Sequence, residues 1–300
     1  MTLRVSRRDL MAVIEAKMQD LGFATAIHKT GTVGGGDINH GFWAATDGGR
    51  VFVKWNPSVP VGFFEAEAAG LQHLAKTGVV RVPQVIGMGR VAGTESAYLI
   101  LEYIEPGRKD AASAAQLGEQ LAELHRQTHV FYGLEAPNMI GRLTQRNTPD
   151  LSWLTFYQSQ RLSAQRDLAL RQGFLSTERG RRLDWLIDNL YIWLHDDEVR
   201  PALLHGDLWG GNWLTDESNQ PVLIDPAVYY GHREVDLAMT RLFGGFPSSF
   251  YEAYNTVHPL DPDYTDRQPI YQLYYLLCHL NLFGESYGRS VDALLKRFTP

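Results

Sequence analysis

The sequence predicts an α+β chain of two lobes: a small β-rich lobe carrying one inserted helix, then a larger and mainly helical lobe. Three observations predict this. Short strand-like runs joined by glycine-rich turns crowd residues 24–56, apolar residues at helical spacing dominate after residue 107, and 300 residues at 44% apolar supply core for one large domain or two modest ones. The turn-rich Glu105-Pro106-Gly107 places the division at residues 1–104 and 105–300.

The elements follow in order. Ser6 is placed to cap a first helix whose Leu10, Ile14, Met18 and Leu21 share one face. FWAAT (42–46) and VFVKW (51–55) read as strands, and Asp47-Gly48-Gly49 between them is a hairpin signal. A helix spans about 63–77 and ends near Gly78. Pro83 opens an extended stretch, and AYLILEYI (97–104) reads as a buried strand. Beyond it come Leu117, Leu121 and Leu124 at helical spacing, a Trp/Tyr/Leu-rich helical stretch over 151–195, a strand-and-loop island at 202–228, and more helix to the end.

Composition excludes several classes. With 28 Lys+Arg against 34 Asp+Glu the net charge is −6, which argues against nucleic acid or an anionic membrane as partner. The single cysteine, Cys278, excludes an intramolecular disulfide framework and any multi-cysteine zinc site. No apolar run approaches the roughly 20 residues that span a bilayer, and the N-terminal stretch has neither a secretory apolar core nor the acid-poor character of a transit peptide. A cytoplasmic location is the resulting expectation.

The segment LLHGDLWGGNWL (203–214) carries the chemistry. A short apolar run leads into His205-Gly206-Asp207, Asn212 follows five residues after Asp207, and Val222-Leu223-Ile224 ends in Asp225, eighteen after Asp207. This is an H-x-D-x-x-x-x-N loop with a hairpin partner ending in aspartate. Phosphoryl transfer asks for this set: one carboxylate beside the attacking hydroxyl, and an amide oxygen and a second carboxylate to hold Mg²⁺ on the nucleotide phosphates. Upstream, Gly34-Gly35-Gly36 sits between strand-like runs, where backbone N–H groups are placed to meet phosphate oxygens. No Gly-Lys-Ser/Thr follows, as a Walker A loop requires, and no helix follows, as a dinucleotide fingerprint requires. Lys54 sits in a strand-like run, and Glu67 lies thirteen residues on in the next helix as its pairing partner. Glu65, two positions away, points to another face, and one of the two is a solvated residue. The strand LILEYI (99–104) offers backbone groups to an adenine edge.

With these residues in place the chain resembles the fructosamine kinase/ketosamine-3-kinase family, a branch of the protein-kinase-like fold close to aminoglycoside and choline kinases. The matching pieces are HGDLWGGN (205–212), FVK (52–54), FEAEAAGL (64–71), LEYI (101–104), the N-x-x-x-x-x-W-x-x-F-Y run from Asn147 to Tyr157, DPAVYYGHREVDLAM (225–239), GGFPSSFYEAY (244–254) and YQLYYLL (271–277). The resemblance implies a two-lobe kinase-like fold and ATP-dependent phosphorylation of the sugar O3 of a ketosamine, free or as a glycated amine or protein, in deglycation or repair. By the same resemblance Asp207 accepts the proton, Asn212 and Asp225 hold Mg²⁺, and Lys54 with Glu67 orders the phosphates of ATP. The backbone of Glu102, Tyr103 and Ile104 holds adenine, and His205 and Asp236 support the loop. Trp209, Tyr229 and Tyr230 line the ketosamine site or pack in the core. Many family members carry a cysteine after the last glycine of the glycine-rich loop. Here that position is Asp37, so a loop disulfide between subunits is not available, and Cys278, in an apolar helical run, reads as a small core residue.

Competing readings are weaker. Gly284-Glu285-Ser286-Tyr287-Gly288 matches a serine-hydrolase elbow, yet a helical run precedes it and the last histidine, His279, comes before the serine. The ten histidines form no H-E-x-x-H pair for zinc hydrolysis. Another small-molecule kinase of the aminoglycoside or choline type, and a nucleotide-binding pseudokinase, share the loop. Trp209-Gly210-Gly211 and DPAVYYGHRE set the chain apart from the first, and the complete polar set argues against the second.

Overall fold

The computed structural model describes residues 6–34, 38–196 and 200–300. The chain forms two compact units, Met1–Lys109 with Leu214–Ile224, and Asp110–Trp213 with Asp225–Pro300.

The first unit opens with α1 (Arg7–Asp20). Ser6 Oγ accepts the Asp9 N–H at its N-terminus, and Leu10, Ile14 and Met18 form its buried face. Leu21, expected on that face, lies one residue past the helix and is 47% exposed. Strands β1 (Ile27–Thr32), β2 (His40–Thr46) and β3 (Gly49–Asn56) follow, the last two joined by the Asp47-Gly48 turn. Then come α2 (Phe63–Ala75), β4 (Val85–Arg90) and β5 (Ala97–Glu102). The strands make one antiparallel sheet in the order β1-β2-β3-β5-β4.

Side chains alternate across a pleated sheet, and this decides what Lys54 faces. Val51 and Val53 of β3 and Tyr98 and Ile100 of β5 pack with Leu10, Ile14 and Met18 of α1. Lys54, one position on, points to the other face, and α2 packs against β4 and β5.

The second unit begins with α3 (Ala111–Leu124), capped by a reciprocal Asp110–Ser113 pair. A short hairpin, β6 (Asn138–Ile140) and β7 (Leu143–Gln145), leads to α4 (Trp153–Phe156), a π-helical stretch at Tyr157–Ser163, α5 (Ala164–Arg171) and α6 (Thr177–Asp188). Then β8 (Ala202–Leu204) enters the loop at His205. Strands β9 (Trp213–Thr215) and β10 (Pro221–Leu223) form a hairpin, and β11 (Tyr229–Gly231) returns to pair with β8. Helices α7 (Glu234–Leu242), α8 (Ser248–Val257), α9 (Tyr264–Phe283) and α10 (Gly288–Phe298) complete the unit. α9 is buried along most of its length in the core made with Trp153, Phe156, Tyr157, Leu183 and Leu186.

The division differs from the sequence boundary in two respects. Residues 105–109 and residues 214–224, both expected in the second lobe, belong with the first unit. Leu223 N–H donates to the Arg81 carbonyl at 2.9 Å, and the Gly107 N–H to Thr215 O at 2.9 Å. Arg81 spans Asp216 and Glu102 with its guanidinium.

Cys278 sits in α9 at 1% exposure, and burial pushes its thiol well above the ordinary range. A thiolate-directed reagent therefore reacts with the native protein far more slowly than with the unfolded chain. Stoichiometric labelling in buffer and in denaturant, followed by mass spectrometry, measures this, and rapid native labelling contradicts the packing described.

Candidate active site

Each unit holds part of the expected set. In the first, Lys54 is buried on β3 and its Nζ lies 2.7 Å from Glu67 Oε1 on α2. Glu65 is exposed, so the pairing ambiguity resolves to Glu67. Two oppositely charged groups held this far from water keep Lys54 extended in one geometry. Gly34 is described, whereas Gly35, Gly36 and Asp37 lie outside the described residues. Glu102 is more committed than the sequence suggests: its N–H donates to Gln84 O at 2.8 Å, and its carboxylate accepts from Arg81 and from the Gln84 N–H. Its amide hydrogen is therefore not an open donor. Tyr103 and Ile104 follow the last ladder residue of β5.

The second unit holds the loop. Asp236 of α7 is fully buried, and its two carboxylate oxygens accept separately, Oδ2 from the His205 N–H at 2.7 Å and Oδ1 from the Gly206 N–H at 2.8 Å. Tyr275 Oη donates to the Gly206 carbonyl at 2.8 Å, and the Ala227 N–H donates to the His205 carbonyl at 2.8 Å. His205 is fully buried, and its Nδ1 accepts the Asp207 N–H at 3.2 Å, which places the proton of a neutral ring on Nε2. Both support residues thus act on the loop backbone. Gly206 must be glycine: its φ is +83°, and a Cβ there would stand 2.1 Å from the Ala227 carbonyl oxygen.

Asn212 Nδ2 donates to the Asp207 carbonyl at 2.8 Å and to Asp207 Oδ2 at 3.2 Å. With its nitrogen so engaged, the amide turns Oδ1 to the opposite side. Asp225 has φ +56°, a left-handed conformation uncommon for a residue with a Cβ and characteristic of functional positions. Burial, joined by the charges of Asp225 and Asp236 and opposed by the Asn212 hydrogen bond, raises the Asp207 carboxyl to about 7.

Asn212 Oδ1 and the Asp225 carboxylate are hard oxygen donors, and among the described residues no cluster of three or more His, Cys, Asp or Glu side chains makes a metal cage. That donor set fits Mg²⁺, which is typically held by one or two carboxylates together with substrate phosphates.

Of the aromatic candidates, Trp209 is 42% exposed and its ring covers Gly211, where a Cβ would meet it at 2.2 Å. Tyr230 is half-buried, with its ring 4.7 Å from that of His129. Tyr229 is a correction. It is fully buried beneath the Arg161 guanidinium, 3.9 Å from its ring centre, and offers no surface to a substrate.

Several residues that position the site escaped the sequence. The segment after Asp225 is held by a buried polar chain. Asn138 Nδ2 donates to the Val228 carbonyl at 2.7 Å, and Gln145 Nε2 donates to the Ala227 carbonyl at 3.0 Å and to Asn138 Oδ1 at 2.8 Å. Asn147 joins through Asn138 Oδ1, Tyr274 through Gln145 Oε1, and Arg161 through Asn147 Oδ1. His125, at the end of α3, bridges Tyr254 Oη and Asp236 Oδ2. Asn147 stood in a recognisable run, but nothing in the local pattern distinguishes the others from ordinary polar residues.

A buried lysine–glutamate pair beside a sheet, an H-x-D-x-x-x-x-N loop held by a buried aspartate and a strained downstream aspartate define a phosphotransferase of the protein-kinase-like fold. Solved structures share the fold. Aminoglycoside phosphotransferase APH(4)-Ia shares the fold at TM-score 0.66 and 13% identity over 98% of this chain and all of its own, and the choline kinase LicA of Streptococcus pneumoniae at 0.65 and 16% over 96% and 99%. The fructosamine kinase family model matches residues 10–299, and the chain belongs to that family. Among its relatives, a protein of Enterococcus faecium named probable ketoamine kinase is 44% identical over 88% of this chain and 93% of its own. The chloroplastic protein-ribulosamine 3-kinase of Arabidopsis thaliana is 40% identical over 91% and 83%, and the ketosamine-3-kinase of Mus musculus 37% over 92% and 96%. The chain is therefore a kinase of this family. Among the described residues no helix is long and apolar enough to cross a membrane.

Two outcomes follow from the loop geometry. Gly206→Ala, forced to place a methyl group against the Ala227 carbonyl, displaces the loop and abolishes most turnover. Steady-state kinetics alongside circular dichroism measure this, and a folded variant with wild-type kcat contradicts the close approach. In metal-free buffer the Asp207 carboxyl titrates near 7, and Asp225→Asn moves that value down, because removing a neighbouring negative charge favours the ionised form. Carbon-13 NMR of labelled aspartate carboxyls reads the shift, and an upward move or none rules out the coupling.

Proposed function

We propose that the chain uses ATP and Mg²⁺ to phosphorylate the sugar O3 of ketosamines such as fructosamine and ribulosamine adducts of amines. The observation that carries this reading is the placement of Asp207, whose carboxylate is held by Asn212 in a loop whose backbone is fixed from beneath by Asp236. The family relationship over nearly the whole chain supplies the substrate class. The aminoglycoside and choline kinases share the fold at 13–16% identity, which supports no transfer of their acceptors.

Roles divide by unit. The first unit carries the nucleotide side: the Gly34–Gly36 loop and Lys54, fixed by Glu67, take the phosphates, and the backbone around Glu102, Tyr103 and Ile104 takes adenine. The second unit carries the acceptor side. Asn212 and Asp225 would hold Mg²⁺, which when bound neutralises phosphate charge. Asp207 orients the O3 hydroxyl and takes its proton as the new O3–phosphorus bond forms and the bond to the leaving ADP breaks. Burial and the neighbouring Asp225 charge raise the Asp207 carboxyl, which makes it a better proton acceptor than an exposed aspartate. Asn212 donates to Asp207 Oδ2, which fixes the carboxylate and leaves Oδ1 for the hydroxyl. Trp209 and Tyr230 present aromatic faces to the sugar.

Turnover of Mg·ATP with ketoamine adducts of lysine built on six-, five- and four-carbon sugars, with phosphorus and carbon NMR locating the phosphate on O3, tests the reading. Transfer to an aminoglycoside or choline without transfer to any ketoamine overturns it. Asp207→Asn keeps the shape and loses the charge, and lowers kcat by about 10²–10⁴-fold with much less change in nucleotide affinity. Lys54→Ala weakens both. An Asp207→Asn enzyme with wild-type kcat removes the base assignment.

A further inference from the structure

Asp236 fixes the start of the loop, and its far half needs a support of its own. Between Asp207 and Asn212 the loop is bonded to itself. The Trp209 N–H donates to the Asp207 carbonyl at 3.2 Å, the Asn212 N–H to the Trp209 carbonyl at 2.9 Å, and Asn212 Nδ2 to the Asp207 carbonyl at 2.8 Å. None of these bonds ties the turn to a neighbouring element, so they leave it free to pivot as a unit. The residues that such a pivot displaces are Trp209 and Asn212.

The turn between α7 and α8 lies against that far half. Gly245 has φ +96°, and a Cβ built on it would stand 3.0 Å from Gly210 Cα. From the other side, a Cβ on Gly210 would stand 3.1 Å from the Gly244 carbonyl oxygen and 3.2 Å from Gly245 Cα. Two backbones therefore meet with no side chain between them, the close approach that glycine permits. Where the loop leaves into β9, the buried Trp213 ring stacks on Phe246, with ring centres 6.0 Å apart and planes inclined by 27°.

The support is itself fixed. Phe246 packs on Phe250 of α8 with ring centres 4.8 Å apart, and Phe250 is fully buried. Helix α8 lies tight against α3 at Gly118, where a Cβ would stand 2.2 Å from the Phe250 carbonyl oxygen. A close-packed interior of this kind yields little to displacement. A backbone contact at Gly210 and a ring contact at Trp213 thus carry the rigidity of a packed helix pair to the two ends of the segment that holds Asn212.

We propose that Gly245 and Phe246 are positioning residues for phosphoryl transfer, holding the Trp209–Asn212 half of the loop where the acceptor meets Asp207. They act through Gly210 and Trp213. The inference rests on the ketosamine kinase reading for the roles of Trp209 and Asn212.

Two alanine variants separate the contact from the backbone. Gly244 has φ +72°, and a Cβ there meets no described residue beyond its chain neighbours within 4 Å. Gly244→Ala therefore adds a methyl group to open space at a left-handed residue, whereas Gly245→Ala adds one against the loop. In the full chain labelled with fluorotryptophan, the fluorine NMR line that Trp209→Phe removes reports the loop tip without metal or nucleotide. Gly245→Ala moves that line and lowers kcat/KM for a ketoamine of lysine by about tenfold to a hundredfold. Gly244→Ala leaves the line in place. Phe246→Leu, which adds no backbone strain, moves the line and lowers kcat/KM in the same direction. Melting temperatures record the stability cost of each change. A folded Gly245→Ala protein with the wild-type line and kinetics overturns the proposal, and so do equal losses in Gly244→Ala and Gly245→Ala. If Gly245→Ala does not fold, Phe246→Leu decides, and the wild-type line and kinetics in that variant overturn the proposal. A wild-type chain that phosphorylates no ketoamine removes the substrate reading and leaves the fluorine comparison to test the loop support.

Discussion

One carboxylate holds the candidate site together. Asp236 lies at 0% exposure on α7 and gives its two oxygens to two successive backbone amides, His205 and Gly206. A buried carboxylate is costly unless its lone pairs are met, and charge-assisted bonds to backbone N–H groups are among the stronger ones a protein makes. The arrangement therefore fixes the start of the loop, and with it the direction in which Asp207 leaves the chain. The left-handed Gly206, pressed against the Ala227 carbonyl, joins this anchor to the segment that follows Asp225. The two stretches are thus fixed to one another by a missing Cβ and by the hydrogen bond from the Ala227 N–H to the His205 carbonyl.

That economy has a counterpart deeper in the second unit. The carbonyls of Ala227 and Val228, just beyond Asp225, are received by Gln145 and Asn138 and through them by Asn147, Tyr274 and Arg161. Arg161 is a fully buried cation whose contacts are neutral oxygens and the faces of Tyr229 and Phe156. It stands in the π-helical stretch Tyr157–Ser163, a wide turn of the kind that recurs near functional sites. The strained φ of Asp225 requires surroundings that over-determine it, and this network supplies them.

The sequence by itself determined the kind of chemistry. Asp207, Asn212 and Asp225 stand out as candidates because a phosphotransferase loop needs particular residue types at short, fixed spacing, and strand signals on both sides place them. The β hairpin at Asp47-Gly48, the capped α1 and the strand carrying Lys54 are also local, since each depends on residues within a few positions. What only the tertiary structure decided is which polar residues act together across long intervals. Glu67 rather than Glu65 faces Lys54 because of how α2 sits on its sheet. Tyr229 turned from candidate wall to core because the Arg161 guanidinium covers it. Residues 214–224 joined the first unit because Arg81 receives the hairpin. His125 and Asp236, 111 residues apart, meet only once α3 and α7 are packed. Spacing along a chain carries information about neighbours in one helix or hairpin. It carries none about which of many buried polar groups will satisfy each other, because that pairing is fixed by packing and by the cost of leaving any of them unmet.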